Sequence, residues 1–154
     1  MALFIDSLTI ASPTIPALEP IPDAHAADGG NTAPLLLMAG APQGTVELAV
    51  ICHDPDAPLP HGFTHWTVYG IPASASHIDL ADPGVREGPN GIGAIGWTGP
   101  QPPAGHGVHH YYFWVYALNR QVVGEPTREE FLRDYSDAVI EQARLVGTYE
   151  TPAD

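Results

Sequence analysis

The hydrophobic positions of this chain gather in short runs separated by polar, Pro- and Gly-rich stretches. Short apolar runs bounded by turn residues mark β-strands. Leu3 to Ile10 predicts a first strand and Pro34 to Met38 a short second one. Ile15 to Ala33 reads as loop and Gly40 to Gly44 as a turn. Val46 to His53 and Thr64 to Ile71 predict longer strands, the latter closed by Pro72. Asp82 to Gly107 predicts a long structured loop, a kind that in compact domains is usually functional. Val108 to Leu118 is the strongest strand signal. His109, Tyr111, Phe113, Val115 and Ala117 face one way, and Val108, His110, Tyr112, Trp114, Tyr116 and Leu118 the other. Both faces are largely apolar, which places this strand inside a sheet between two layers.

The period changes near the C-terminus. Thr127 to Glu130, after Pro126, has the spacing of a capping box. It predicts a short helix that buries Phe131, Leu132 and Tyr135. Ser136 then predicts the cap of a second helix. In it Tyr135, Ala138, Val139, Gln142, Ala143 and Val146 recur at helical spacing, and Gly147 is its end. The sum is a mainly β chain, one domain over residues 1–154, with two short helices late in the sequence rather than βαβ units.

Composition narrows the function classes. Eighteen acidic residues face five arginines and no lysine, for a net charge of −13. That excludes the electrostatic footprint of a nucleic-acid binder and predicts no strong attraction to anionic membranes. Without lysine there is no Schiff-base chemistry and no P-loop. Cys52, the single cysteine, lies in an apolar strand and reads as a small core residue. No apolar run reaches the roughly eighteen residues of a membrane span. The lack of Lys and Arg from Met1 to Ile15 predicts a cytoplasmic protein without a signal peptide. The acidic balance is that of a soluble protein or of one from a salty habitat.

Two proline-stiffened loops carry the candidate chemistry. Asp54-Pro55-Asp56-Ala57-Pro58 leads to His65-Trp66, and Gly99-Pro100-Gln101-Pro102-Pro103-Ala104-Gly105 leads to His109-His110-Tyr111. Proline fixes φ, so such loops lose little entropy on ordering and suit a preformed small-ligand site. Taken singly, Asp-Pro-Asp is a turn former and a histidine opening an apolar strand is a core residue. Taken together they point to a polar site. Strand parity turns His53 and His110 away from it; His61 and His106, which lie on the two loops, are expected at its rim, and His25 and His77 on the surface.

These two motifs, in this order, resemble the signatures of the phosphatidylethanolamine-binding proteins, a family that includes Raf kinase inhibitor-like proteins, and especially its bacterial branch. The likeness covers Leu35 to Leu118, with a weaker match at Gly147-Thr148-Tyr149. It implies a central antiparallel sheet, a smaller sheet packed on it, and a pocket for phosphate-like anions or phosphorylethanolamine head groups. Carried onto this chain, the implied lining is Asp54, Asp56, Pro58, His65, Gly99, Pro102, His109 and Tyr111. It also implies inhibition of a kinase or protease as a possible role, and a homodimer. The chain departs from the pattern at His110, where arginine is common, at Gln101, where bacterial members often have cysteine, and at Met38, where tryptophan is common.

The resulting expectation is a small-ligand binding protein that needs no cofactor. Asp54, His65 and His109 form its polar centre, with Tyr111 at the wall. A carboxylate beside imidazole holds it cationic or in one tautomer, so anion affinity is expected to fall as pH rises past the histidine pKa. Two alternatives accompany it. One is an enzyme using the same Asp and His groups as acid and base, although no Ser, Cys or Lys nucleophile motif is present. The other is a metal site of two histidines and a carboxylate.

Overall fold

The computed structural model describes residues 7–154. Among the described residues seven strands form two antiparallel sheets. The small sheet pairs β1 (Thr9–Ala11) with β2 (Leu37–Ala39). The large sheet contains β3 (Glu47–Asp54), β4 (Phe63–Pro72), β5 (Arg86–Glu87), β6 (His109–Leu118) and β7 (Val139–Tyr149), in the order β5-β4-β3-β6-β7. The Leu3–Asp6 part of the expected first strand lies outside the described residues.

Side-chain alternation builds a core on each face of the large sheet. On one face Leu48, Val50, Cys52, Val68, Phe113 and Val115 pack with Ile10 and Met38 of the small sheet and with Ile15, Ile21 and Leu36 of the connecting segments. On the other, Ala49, Ile51, Tyr69, Tyr116 and Leu118 pack under Phe131 of α1 (Arg128–Tyr135), the one α-helix among the described residues. Strand β3 is therefore buried along its whole length, and β6 lies between β3 and β7 as its two apolar faces required. Cys52 is fully buried opposite Trp66 and Phe113, and burial pushes its thiol pKa well up.

The capping box forms as expected. Thr127 Oγ1 accepts from Glu130 N at 3.2 Å, and Glu130 Oε1 accepts from Thr127 N at 2.9 Å. Thr127→Ala should lower stability by about 1 kcal/mol in urea unfolding. A change below a few tenths would mean that packing of Phe131 alone holds the helix.

The second expected helix is not there. Ser136–Ala138 is one 3-10 turn, and the chain then runs as β7 along β6, from Val139 opposite Leu118 to Tyr149 opposite His109. The stretch Glu141 to Leu145 is made of good helix formers, and long-range pairing overrides that preference. Inward-facing Glu141 also hides the strand alternation. It is buried and its carboxylate accepts from Leu8 N at 2.9 Å and Ser7 N at 3.4 Å. Gly147 ends no helix. It lies opposite Tyr111, where a Cβ would come within 2.7 Å of Ile21 Cγ1. No helix among the described residues is long and apolar enough to cross a membrane.

Candidate functional site

Antiparallel pairing brings the end of β3 beside the starts of β4 and β6. Asp54 closes β3, and His109 and Tyr111 open β6 on the same face as Cys52 and Phe113. His65 reaches this face by a β-bulge. Cys52 pairs with Trp66 and His53 with Thr64, so His65 is the extra residue. The bulge lets His65 and Trp66 both contact Trp97, with ring centroids 6.3 and 5.7 Å away. His53, on the opposite face, bonds Thr64 Oγ1.

The polar centre is a chain of hydrogen bonds. Asp54 and His109 are both nearly fully buried, and Asp54 Oδ2 lies 2.6 Å from His109 Nδ1. Asp54 Oδ1 accepts from Asp56 N at 2.7 Å. One carboxylate thus fixes both the proline turn and the imidazole. His109 Nε2 in turn lies 2.6 Å from His106 Nδ1.

His65 Nδ1 donates to Thr98 O at 2.6 Å, which leaves Nε2 as the lone-pair acceptor. Burial pushes the His65 pKa down to about 4, against weaker opposing effects from Thr98 and Asp54. Of the two expected states, cationic or held in one tautomer, His65 takes the second and is neutral at pH 7. Burial, and then the Asp54 charge, push the Tyr111 phenol far up, so it stays protonated. Its hydroxyl has no hydrogen-bond partner among the described residues, and its ring packs edge-on to His65 at 5.1 Å.

The His65 shift has a measurable consequence. The ring is charged below about 4 in the folded chain and below about 6.5 when unfolded. Between these values the unfolded chain binds more protons, so stability is fully present above pH 6.5 and is lost as pH falls toward 4. The shift is worth up to about 3 kcal/mol. Buried His53 is also lowered to about 4, by desolvation first and by Arg128 second, and adds to the same trend. Urea midpoints measured from pH 8 to 4 should decline across this window, and His65→Gln should flatten the decline. An unchanged slope in that variant would remove His65 from the account.

These groups line a cavity of about 350 Å³. Seven of the eight expected residues are in its wall: Asp54, Pro58, His65, Gly99, Pro102, His109 and Tyr111. Asp56 is not. Its carboxylate turns outward and accepts from both the backbone N–H and Nδ1 of His110, at 2.8 and 2.7 Å. Burial opposes ionisation of Asp56, but the bonds from His110 outweigh it and hold its pKa down. His110 is off the cavity, as parity required, yet it braces the first motif. His61 is exposed and does not line the cavity.

No local pattern signals the apolar mouth. Leu59 and Ile92 line it while remaining 55% and 69% exposed, and Phe63 joins them. None of the five arginines lines the cavity. Among the described residues no three His, Cys, Asp or Glu side chains are placed to hold a metal ion. Both oxygens of Asp54 are already bonded within the chain.

The second motif stands on the segment that reads as plain loop. Ala27 N donates to Pro100 O at 3.0 Å, Asn31 Oδ1 accepts from Gly99 N at 2.7 Å, and Trp97 Nε1 donates to His25 O at 3.1 Å. His25 is not a surface residue. It is buried, with Nδ1 donating to Thr32 O at 2.7 Å and Nε2 accepting from Thr14 Oγ1 at 3.0 Å. No local pattern around it signals this, because its partners come from both sides of the loop. His77 is exposed, as expected.

Comparison with known proteins gives the geometry a family. The sequence profile described as Phosphatidylethanolamine-binding protein matches residues 11–150. A UPF0098 protein of Aquifex aeolicus is 35% identical over 141 residues, covering 86% of this chain and 82% of that one. A Mycobacterium tuberculosis protein named as a lipoprotein, LppC, is 42% identical over 149 residues, covering 94% and 73%. The crystal structure of E. coli YbcL, described as a new member of the mammalian PEBP family, superposes with a TM-score of 0.88 at 30% identity, covering 94% of this chain and 99% of YbcL. With both signature loops converging on one cavity, and with these matches over nearly its whole length, the chain belongs to the phosphatidylethanolamine-binding protein family.

Proposed function

We propose that this chain is a small-ligand binding protein whose cavity takes the phosphate-like end of a small organic molecule, phosphorylethanolamine-type head groups among them. One observation carries the reading. A neutral acceptor, His65 Nε2, and a protonated phenol, Tyr111, share a cavity that no arginine enters. A phosphate that keeps one proton matches this pair. Its P–OH donates to His65, and an unprotonated oxygen accepts from Tyr111. A fully ionised phosphate loses the first bond and meets the Asp54 carboxylate without a compensating cation. The exposed Leu59 and Ile92 suit an apolar portion leaving through the mouth.

Calorimetric titration with phosphorylethanolamine and with inorganic phosphate tests the reading. Affinity should be higher at pH 6 than at pH 8, because the second ionisation of a phosphomonoester lies near 6. The pH dependence then comes from the ligand and not from His65. Equal affinity at both pH values, or no binding at either, rejects the proposal. The ligand is a small molecule, and the site of action is the cytoplasm. Recovery of the native protein in a membrane or periplasmic fraction would reject the latter.

A further inference from the structure

His109 is the central imidazole of the cavity, yet both of its ring nitrogens are used within the chain. A carboxylate only accepts, so the bond to Asp54 puts a proton on His109 Nδ1, and in the neutral ring Nε2 is then the lone-pair nitrogen. The partner of Nε2 is His106 Nδ1, 2.6 Å away, which is the donor to that neutral ring. The order is directional: His106 donates to His109, and His109 donates to Asp54. A ligand in the cavity gains no hydrogen bond from His109 while His106 holds that position.

His106 is placed so that it can leave. It is exposed, and it does not line the cavity. It stands between Gly105 and Gly107, with φ of +74° and +94°, and the Cβ direction of Gly107 meets no atom within 4 Å. The backbone there is tied, Gly105 N donating to Thr151 O at 3.0 Å and His106 N to Pro103 O at 3.1 Å, so the His106 ring leaves by rotation about its own side-chain bonds. The His109 ring, by contrast, is held by Asp54 and by its place in β6, opposite Tyr149. When the two rings separate, His106 is the one that moves.

We propose that His106 is a built-in occupant of His109 that a ligand must displace, and that it selects ligands able to donate a hydrogen bond. The vacated Nε2 is an acceptor, so only an O–H or N–H replaces what His106 supplied. The protonated oxygen of a phosphomonoester and the ammonium of an ethanolamine group both qualify. This selection rests on the proposed ligand site; the covering of His109 by His106 does not.

The test uses the full chain, His106→Ala and two readouts. The first needs no ligand. Diethyl pyrocarbonate acylates accessible lone-pair imidazole nitrogens, and peptide mass spectrometry resolves the rate at each histidine. His109 should react at least about tenfold faster in His106→Ala, while exposed His61 and His77 keep their rates. Equal rates at His109 overturn the proposal. The second is calorimetric titration with phosphorylethanolamine. Removal of a competing hydrogen bond should tighten binding by about three- to tenfold. Weaker or unchanged binding in the variant overturns the selection. If phosphorylethanolamine binds neither protein, the ligand reading fails, and the His109 labelling rates alone decide whether His106 covers it.

Discussion

Asp54→Ala is expected to lower the unfolding free energy by about 3–5 kcal/mol and to abolish ligand binding. The carboxylate is buried and serves two donors, His109 Nδ1 at 2.6 Å and Asp56 N at 2.7 Å. Alanine leaves both unpaired. A buried donor without its acceptor costs about 1–3 kcal/mol, so the two together come to about 3–5 kcal/mol. The same change frees the first proline loop from the end of β3 and lets the His109 ring turn. Asp54→Asn separates these effects. An amide oxygen can still accept from Asp56 N, while the amide N–H₂ faces an imidazole N–H. Asparagine should therefore recover roughly half of the stability without restoring binding. Urea unfolding and calorimetry on the two variants give the comparison. A loss under about 1 kcal/mol for Asp54→Ala would mean that water already shares the work of this carboxylate.

Gly99→Ala should be nearly as damaging, for a steric reason. A Cβ at residue 99 would overlap His25 O and lie 2.8 Å from both Ala26 C and Ala27 N. All three are backbone atoms, so no rotamer change relieves the clash. Either the second motif or the 25–27 segment must move. The bonds from Ala27 N to Pro100 O and from Gly99 N to Asn31 Oδ1 then break. Overpacking at a rigid contact together with two lost hydrogen bonds amounts to about 3–5 kcal/mol. Gly44→Ala is the contrast. Its φ of +93° is unfavourable to a side chain, but nothing lies within 4 Å of its Cβ position. That substitution should cost only about 1 kcal/mol of backbone strain. Similar losses in the two variants would contradict the close approach at Gly99.

The strands and the two motifs were legible because their determinants are local. Alternation along Val108 to Leu118 and Val46 to His53 records which side chains meet a core on each face, and Pro and Gly mark where the pairing stops. The capping box at Thr127 is local in the same sense. Strand β7 was not legible. Residues 141–145 prefer helix when read alone, and only the length of β6 beside them makes a strand. The inward Glu141 breaks the alternation because its partners, Ser7 N and Leu8 N, come from the far end of the chain. Asp54, His65 and His109 were identifiable by type and parity, whereas the bulge that turns His65 inward needs the register of β3 against β4. Asp56 and His110 show the opposite case. Sequence kinship groups Asp56 with the pocket, and a pairing across 54 residues takes its carboxylate elsewhere.

The single thiol of Cys52 offers a clock for this architecture. It sits two residues from Asp54 in the strand that both cores enclose, with no exposed surface and a pKa that burial raises. Thiolate is the reactive form, so alkylation must wait for a fluctuation that parts β3 from β4 or β6. The labelling rate therefore reports the opening frequency of the central sheet from inside the native ensemble, without denaturant. A ligand that bridges the ends of those strands would slow it in proportion to its occupancy, which turns a structurally silent cysteine into a reading of how firmly the cavity is held shut.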